Sequence, residues 1–288
     1  MKHVISSCRS LAVASVVTAF ALAGCGSPGA INSWPVSAQQ KLGPASDLHI
    51  ADSALSSGNT ELALTLYDKA LQAKPDSIEA QLGLADTVYQ AGDLERARVL
   101  YARTADSAPS NLRSKLGLAR VALRQRRLDD ASALYRSLAA QLPDNPVTAE
   151  GLGTVLDLQG RHDEAQAVYR AALRAHPEVQ GLTTDLGLSL ILANKPREAA
   201  NVLLEIAGLA NAPPQARQNL ALAYALLGNR NAAKQILQAD LPPGSVEDNL
   251  RFYETLRSRL GPPTGAPAAT RVGALPADHI ARDVETAK

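Results

Sequence analysis

The sequence has few of the residues that build catalytic or cross-linked sites. Of its 288 residues only Cys8 and Cys25 are cysteines, which excludes a disulfide scaffold and a four-thiolate zinc site. Aromatic residues make up 3% of the chain, too few for base-stacking platforms or a β-sandwich core. Neither sign of charge dominates. Lys and Arg number 29 against 28 Asp and Glu, and without residues 1–24, which hold Lys2, Arg9 and no acid, the balance is 27 against 28. A nucleic-acid partner would call for a basic excess. After the N-terminal segment no stretch reaches the ~18 apolar residues that span a bilayer. H-E-x-x-H, G-x-S-x-G, G-x-x-x-x-G-K-[ST] and C-x-x-C are all absent. The expectation is a non-enzyme with no cofactor, no metal and no small-molecule substrate. What is plentiful is alanine and leucine, the composition of a helical chain.

The N-terminus is the exception to this even composition. Lys2 and Arg9 precede an uncharged, mostly apolar run from Leu11 to Leu22, too short to cross a bilayer comfortably. A positive start, a short apolar run and small residues at its end form a signal-peptide pattern. Leu22-Ala23-Gly24-Cys25 resembles the lipobox of bacterial lipoproteins. That resemblance implies a signal peptide over 1–24, cleavage before Cys25 and a diacylglycerol on the Cys25 sulfur. Gly26, standing where an aspartate would retain such a protein in the inner membrane, implies transport to the outer membrane, with the chain facing the periplasm. Residues 25–43, with Ser, Pro and Gln, read as a tether.

A period of 34 organises the rest. Pro75, Pro109, Pro143 and Pro177 lie 34 apart, as do Ala63, Ala97, Ala131, Ala165, Ala199 and Ala233. Tyr67, Tyr101, Tyr135 and Tyr169 form a third series, continued by Leu203 and Leu237. Gly58, Gly92, Gly160 and Gly228 form a fourth, with Arg126 and Asn194 in the two gaps. Leu84, Leu118, Leu152, Leu186 and Leu220 form a fifth, each followed by Ala or Gly. These residues resemble the tetratricopeptide repeat. The resemblance implies an all-α fold, a right-handed superhelical solenoid of six helix-turn-helix repeats over 44–247. Small residues such as Ala85 and Ala97 sit at helix crossings, glycines end the first helices, prolines stop the second, and tyrosines fill the gaps between repeats. No repeat buries its face alone, so stacking supplies the stability. Leu250, Tyr253, Leu256 and Leu260 mark a capping helix over 248–260, and the proline-rich stretch 261–288 reads as a disordered tail.

The same resemblance implies a groove lined by the first helices, at the second, fifth, sixth, ninth, twelfth and thirteenth positions of each repeat. Asp86 and Tyr89 fall there in repeat two, Arg113, Arg120 and Arg124 in repeat three, and Asp157 in repeat four. Leu188, Ile191 and Leu192 fall there in repeat five. A groove passing from mixed charge to apolar fits protein partners, an apolar or helical peptide among them, although a capping helix could also fill the apolar end. Only Asn219 matches the carboxylate-clamp pattern of peptide-tail binders. His162-Asp163-Glu164 falls on a turn and helix start, where acids complement the helix dipole, so no metal is expected there.

The final third carries a narrower likeness. Asn219-Leu220-Ala221-Leu222, Asp240-Leu241-Pro242 and Asn249-Leu250 with Tyr253 resemble the end of the TadD family, repeat lipoproteins of tight-adherence (Flp) pilus systems. This implies a scaffold or adaptor that aids assembly or placement of the pilus secretion apparatus, with the secretin or another assembly component as partner. The alternative is another envelope adaptor, a type IV pilus pilotin or a cell-wall hydrolase adaptor. In either case the lipid at Cys25 is the expected membrane attachment, so Cys25→Ser should release the protein from membranes or leave it as a precursor. Cell fractionation that finds the variant processed and still at the outer membrane would overturn the lipobox reading.

Overall fold

The structure is a computed structural model that describes residues 44–261. The signal peptide and tether expected over 1–24 and 25–43, Cys25 included, lie outside the described residues, as does the tail after Gly261. All regular structure among the described residues is helical. The helices are α1 (Pro44–Ser56), α2 (Thr60–Ala73), α3 (Ile78–Gln90), α4 (Leu94–Ser107), α5 (Leu112–Arg124), α6 (Leu128–Gln141) and α7 (Pro146–Leu158). They continue with α8 (His162–Ala175), α9 (Gln180–Leu192), α10 (Pro196–Ala207), α11 (Pro214–Leu226), α12 (Arg230–Gln238) and α13 (Pro243–Leu260). Consecutive helices pack against one another, and each first helix also touches the first helix of the next repeat. This is the all-α solenoid that the 34-residue period implies. Among the described residues no helix is long and apolar enough to cross a membrane.

The turn inside each repeat closes the same way six times. In repeat two the Gly92 N–H donates to the Tyr89 carbonyl at 3.1 Å and the Asp93 N–H to the Val88 carbonyl at 3.2 Å. This pair of bonds needs a left-handed residue at its centre. Gly58, Gly92, Gly160 and Gly228 supply it with φ between 76° and 89°. Arg126 and Asn194 hold the same conformation at φ 60° and 56°, which strains the arginine more than the asparagine. The proline series stands two residues beyond the ends of α2, α4, α6 and α8, where it blocks continuation of each helix.

Neighbouring repeats are joined by tyrosines seated on glycines. Tyr67, Tyr101 and Tyr135 are 0%, 0% and 2% exposed. A methyl group placed on Gly83, Gly117 or Gly151, each in the following repeat, would overlap the preceding repeat's ring. Tyr169 meets Asp185 of the following repeat in place of a glycine. Its ring lies on Gly153 of its own repeat, and Leu203 likewise lies on Gly187. The alanines at the helix crossings, Ala85, Ala97, Ala119, Ala131 and Ala165 among them, are fully buried. The core forms two clusters that both include residues of α5: Val121 belongs to the N-terminal one and Ala119 and Ala122 to the other.

The capping helix is longer than the expected 248–260. It starts at Pro243, because Pro242 is extended and a proline at the first helical position is already set for helix. The last residues assigned to repeat six therefore belong to the cap. Val246, Leu250 and Tyr253 are its buried stripe, Leu256 is half-buried, and Leu260 faces solvent. α13 packs on α11 and α12, where the first helix of a further repeat would stand.

Two substitutions should move stability in opposite directions. Gly117→Ala pushes a methyl group into Tyr101 and should destabilise by ~1–3 kcal/mol. Arg126→Gly relieves the left-handed strain, offset in part by glycine's entropy in the unfolded chain, and should stabilise by ~0.5–1 kcal/mol. Urea unfolding of the two variants checks both signs.

Candidate functional site

The first helices lie side by side, and the faces they leave free line a common groove. In repeats one to four the ninth position sits beside the hydroxyl of the repeat's own tyrosine. The Tyr67 hydroxyl donates to Asp52 and the Tyr101 hydroxyl to Asp86. Burial first, and then these carboxylates, push both phenols well above the ordinary tyrosine range. In repeat three that position is Arg120. Tyr135 therefore has a cation near it, yet burial still raises it to about 12.

The basic residues of repeat three divide into two roles. Arg113 reaches back to repeat two and binds Asp86, its Nη2 at 2.5 Å and its Nε at 3.2 Å from the same oxygen. Burial alone would make Arg113 easier to deprotonate. The bond and charge of Asp86 outweigh that and hold the guanidinium above its usual value. Arg113 and Asp86 thus satisfy each other. Arg120 and Arg124 turn instead to Tyr89, their Cζ atoms 4.8 and 4.9 Å from its ring centroid. Arg124 Nη1 also donates to the Tyr89 carbonyl at 3.0 Å. The neighbouring turn is balanced separately, by Arg127 on Asp130 at 3.3 Å.

Repeats four and five contribute acids. Asp157 accepts from Ser189 Oγ at 2.7 Å and Tyr169 Oη at 3.3 Å, and meets His162 Nδ1 at 2.8 Å. Ser189 donates to the carboxylate and not to the imidazole, so the three do not form a nucleophile-and-base pair. His162 starts α8, with Asp163 and Glu164 in its first turn, as the sequence implies. Among the described residues no group of three His, Cys, Asp or Glu side chains is placed to hold a metal ion.

Asp185 is the groove residue that sequence reasoning missed. It holds the sixth position of repeat five, where repeats two, three and four carry Gly83, Gly117 and Gly151. Asp185 thus stands where the preceding repeat's tyrosine meets glycine elsewhere, and it lies close enough to Tyr169 to help raise that phenol. The Asp185 carboxyl is left half-buried near Glu150 and Asp157. Burial first, and then these two charges, push it up to about 7. The signal was a break in a glycine series that the sequence displays at 34-residue spacing.

The apolar end of the groove is only partly open. Leu158, Leu188 and Leu192 are 40%, 39% and 50% exposed. Ile191, expected beside them, is 3% exposed and belongs to the core. Tyr89 at the same position of repeat two is only partly buried and meets Arg120 and Arg124, while the shorter isoleucine stays inside. In repeat six Leu226 is buried and Leu222 half-buried. The open apolar surface therefore belongs to repeats four and five.

The raised Asp185 value has a consequence for stability. Between about pH 4 and 7 the native protein holds this proton, whereas the unfolded chain has released it. The stability this gives in acid is lost as pH rises toward 7. Asp185→Asn should therefore be near neutral at pH 4 and stabilising at pH 8, on the order of 2 kcal/mol, since water at the half-buried carboxyl screens part of the effect. Thermal unfolding across that range checks it.

Comparison with known proteins agrees with this architecture. Sequence profiles of the tetratricopeptide repeat match residues 54–114, 89–152 and 122–186, and a second profile of the same name matches 214–239. No curated protein matches the chain. Among solved structures, a tetratricopeptide repeat protein from Parabacteroides merdae superposes with a TM-score of 0.61 at 12% identity, over 75% of this chain and 86% of that one. PilF of Pseudomonas aeruginosa gives 0.61 at 17% identity, over 73% and 97%. A chain of the Cut9–Hcn1 hetero-tetramer of the APC/C gives 0.64 at 16%, over 75% and 44%. At these identities the likeness is one of fold. The repeat profiles cover more than half of the sequence and fall on the helix pairs described above, and the chain belongs to the tetratricopeptide repeat family.

Proposed function

We propose that this protein is a lipid-anchored adaptor of the cell envelope that holds protein partners in the groove of its first helices. The observation that carries the reading is the groove itself. Arg120, Arg124, Glu150, Leu188 and Leu192 share it, all exposed and none needed to hold the repeats together. Exposed charges of this kind add little to folding, typically under ~1 kcal/mol, but set specificity and encounter rate in binding. Such a repeat scaffold binds partners and carries out no reaction of its own.

The membrane reading rests on the lipobox-like Leu22-Ala23-Gly24-Cys25, with anchoring through Cys25 at the outer membrane, facing the periplasm. A role in assembling or placing a Tad/Flp pilus secretion apparatus rests on the TadD-like segment. Its residues build the cap: Asp240 binds Arg217 through two 2.7 Å bonds, and Leu250 and Tyr253 are buried. The support is therefore a likeness of sequence at residues that close the solenoid. The second reading, a pilotin-type adaptor, draws on the fold shared with PilF of Pseudomonas aeruginosa.

Leu188→Asp with Leu192→Asp tests the groove in cells. Both side chains face solvent, so the double variant should keep its helicity, its level and its membrane fraction. Surface pili counted by electron microscopy should be lost. Pili at the normal level, with the secretin in its normal place, would overturn the pilus role of the groove.

A further inference from the structure

Arg120 and Arg124 stand in a state that folding alone does not account for. They lie one turn apart on α5 and repel each other, yet both are drawn to one ring, Tyr89. Neither has an ion-pair partner among the described residues. Asp86 of repeat two is already taken by Arg113 and by the Tyr101 hydroxyl. A guanidinium held against an aromatic ring by its charge keeps most of its N–H donors free, and its planar edge matches a carboxylate bidentately. Arg124 gives one donor to the Tyr89 carbonyl, which fixes its direction. The pair is thus pre-oriented, and the rotamer entropy that an arginine loses on binding is partly lost already.

Building on the groove reading above, we infer that Tyr89, Arg120 and Arg124 form a clamp for side-chain carboxylates of an acidic protein segment, whose apolar residues lie along Leu158, Leu188 and Leu192. Charge complementarity selects this occupant. The clamp is a local excess of positive charge in a chain balanced overall. Next to it stand Glu150, Asp157 and Asp185, which repel charge concentrated on one group, a phosphate above all, more than two carboxylates spread over the two arginines. They also limit the acidic part of the segment to the repeat-three side of the groove. The exposed leucines of repeats four and five then receive apolar side chains from the same segment. Acid at one end and apolar residues at the other give the partner one direction of binding.

The test is selection from a phage-displayed library of random dodecapeptides on the immobilised full-length protein. Enriched peptides should carry paired Asp or Glu at one end and apolar residues at the other. Their affinity should fall about tenfold or more in Arg120→Gln with Arg124→Gln, fall with added salt, and fall less in Tyr89→Leu. Circular dichroism should find all variants folded. Peptides without acids, or insensitive to the arginine changes but weakened by Leu192→Asp, would overturn the clamp and leave the groove reading standing. Peptides insensitive to both sets, or no enrichment at all, would overturn both. Displacement of the acidic peptides by inorganic phosphate, or arginine-dependent binding to phosphatidylglycerol vesicles that excludes them, would overturn the assignment to carboxylates.

Discussion

The ring of Tyr101 lies where a side chain of residue 117 would otherwise stand, and the same exchange of ring for glycine joins repeats one to two and three to four. Stacking depends on this contact, since each repeat leaves an apolar face that only its neighbour can cover. The hydroxyl end of the ring carries the contact into the groove. In repeats one and two it holds Asp52 and Asp86 by hydrogen bonds, so interface and binding face are set by one side chain. Where glycine gives way to Asp185, the groove gains a half-buried carboxyl beside Tyr169.

The charges of the groove follow from this packing. Some are spent inside it: Asp86 on Tyr101 and Arg113, and Asp157 on Ser189, Tyr169 and His162. Others are left over. Counted from the sequence, repeat three has a basic inner face of three arginines. In the structure one of them belongs to repeat two, and the other two share an aromatic ring. What is offered to a partner is therefore narrower than the charge count and more directed.

Much of the fold could be read from spacing. A 34-residue period fixes helix pairs, turns and stops because each repeated residue answers one local demand. Arg126 and Asn194 were legible as gaps in the glycine series, and both hold the left-handed turn. Pairings across repeats were less legible. Arg113 and Asp86 are 27 residues apart, and only the lateral packing of α3 on α5 brings the second position of one repeat to the ninth position of the one before. Ile191 was misplaced because a position in a repeat names a direction, not a length of side chain. The start of the cap at Pro243 was missed because the buried stripe of α13 begins only at Val246, one turn inside the helix.

The two core clusters meet on α5, the helix that carries Arg120 and Arg124. Tyr89, on α3, is packed on the N-terminal cluster, while Leu158, Leu188 and Leu192 line the groove beside the other. A segment lying from Tyr89 to Leu192 would therefore cross from one part of the core to the other, over the helix that both parts share.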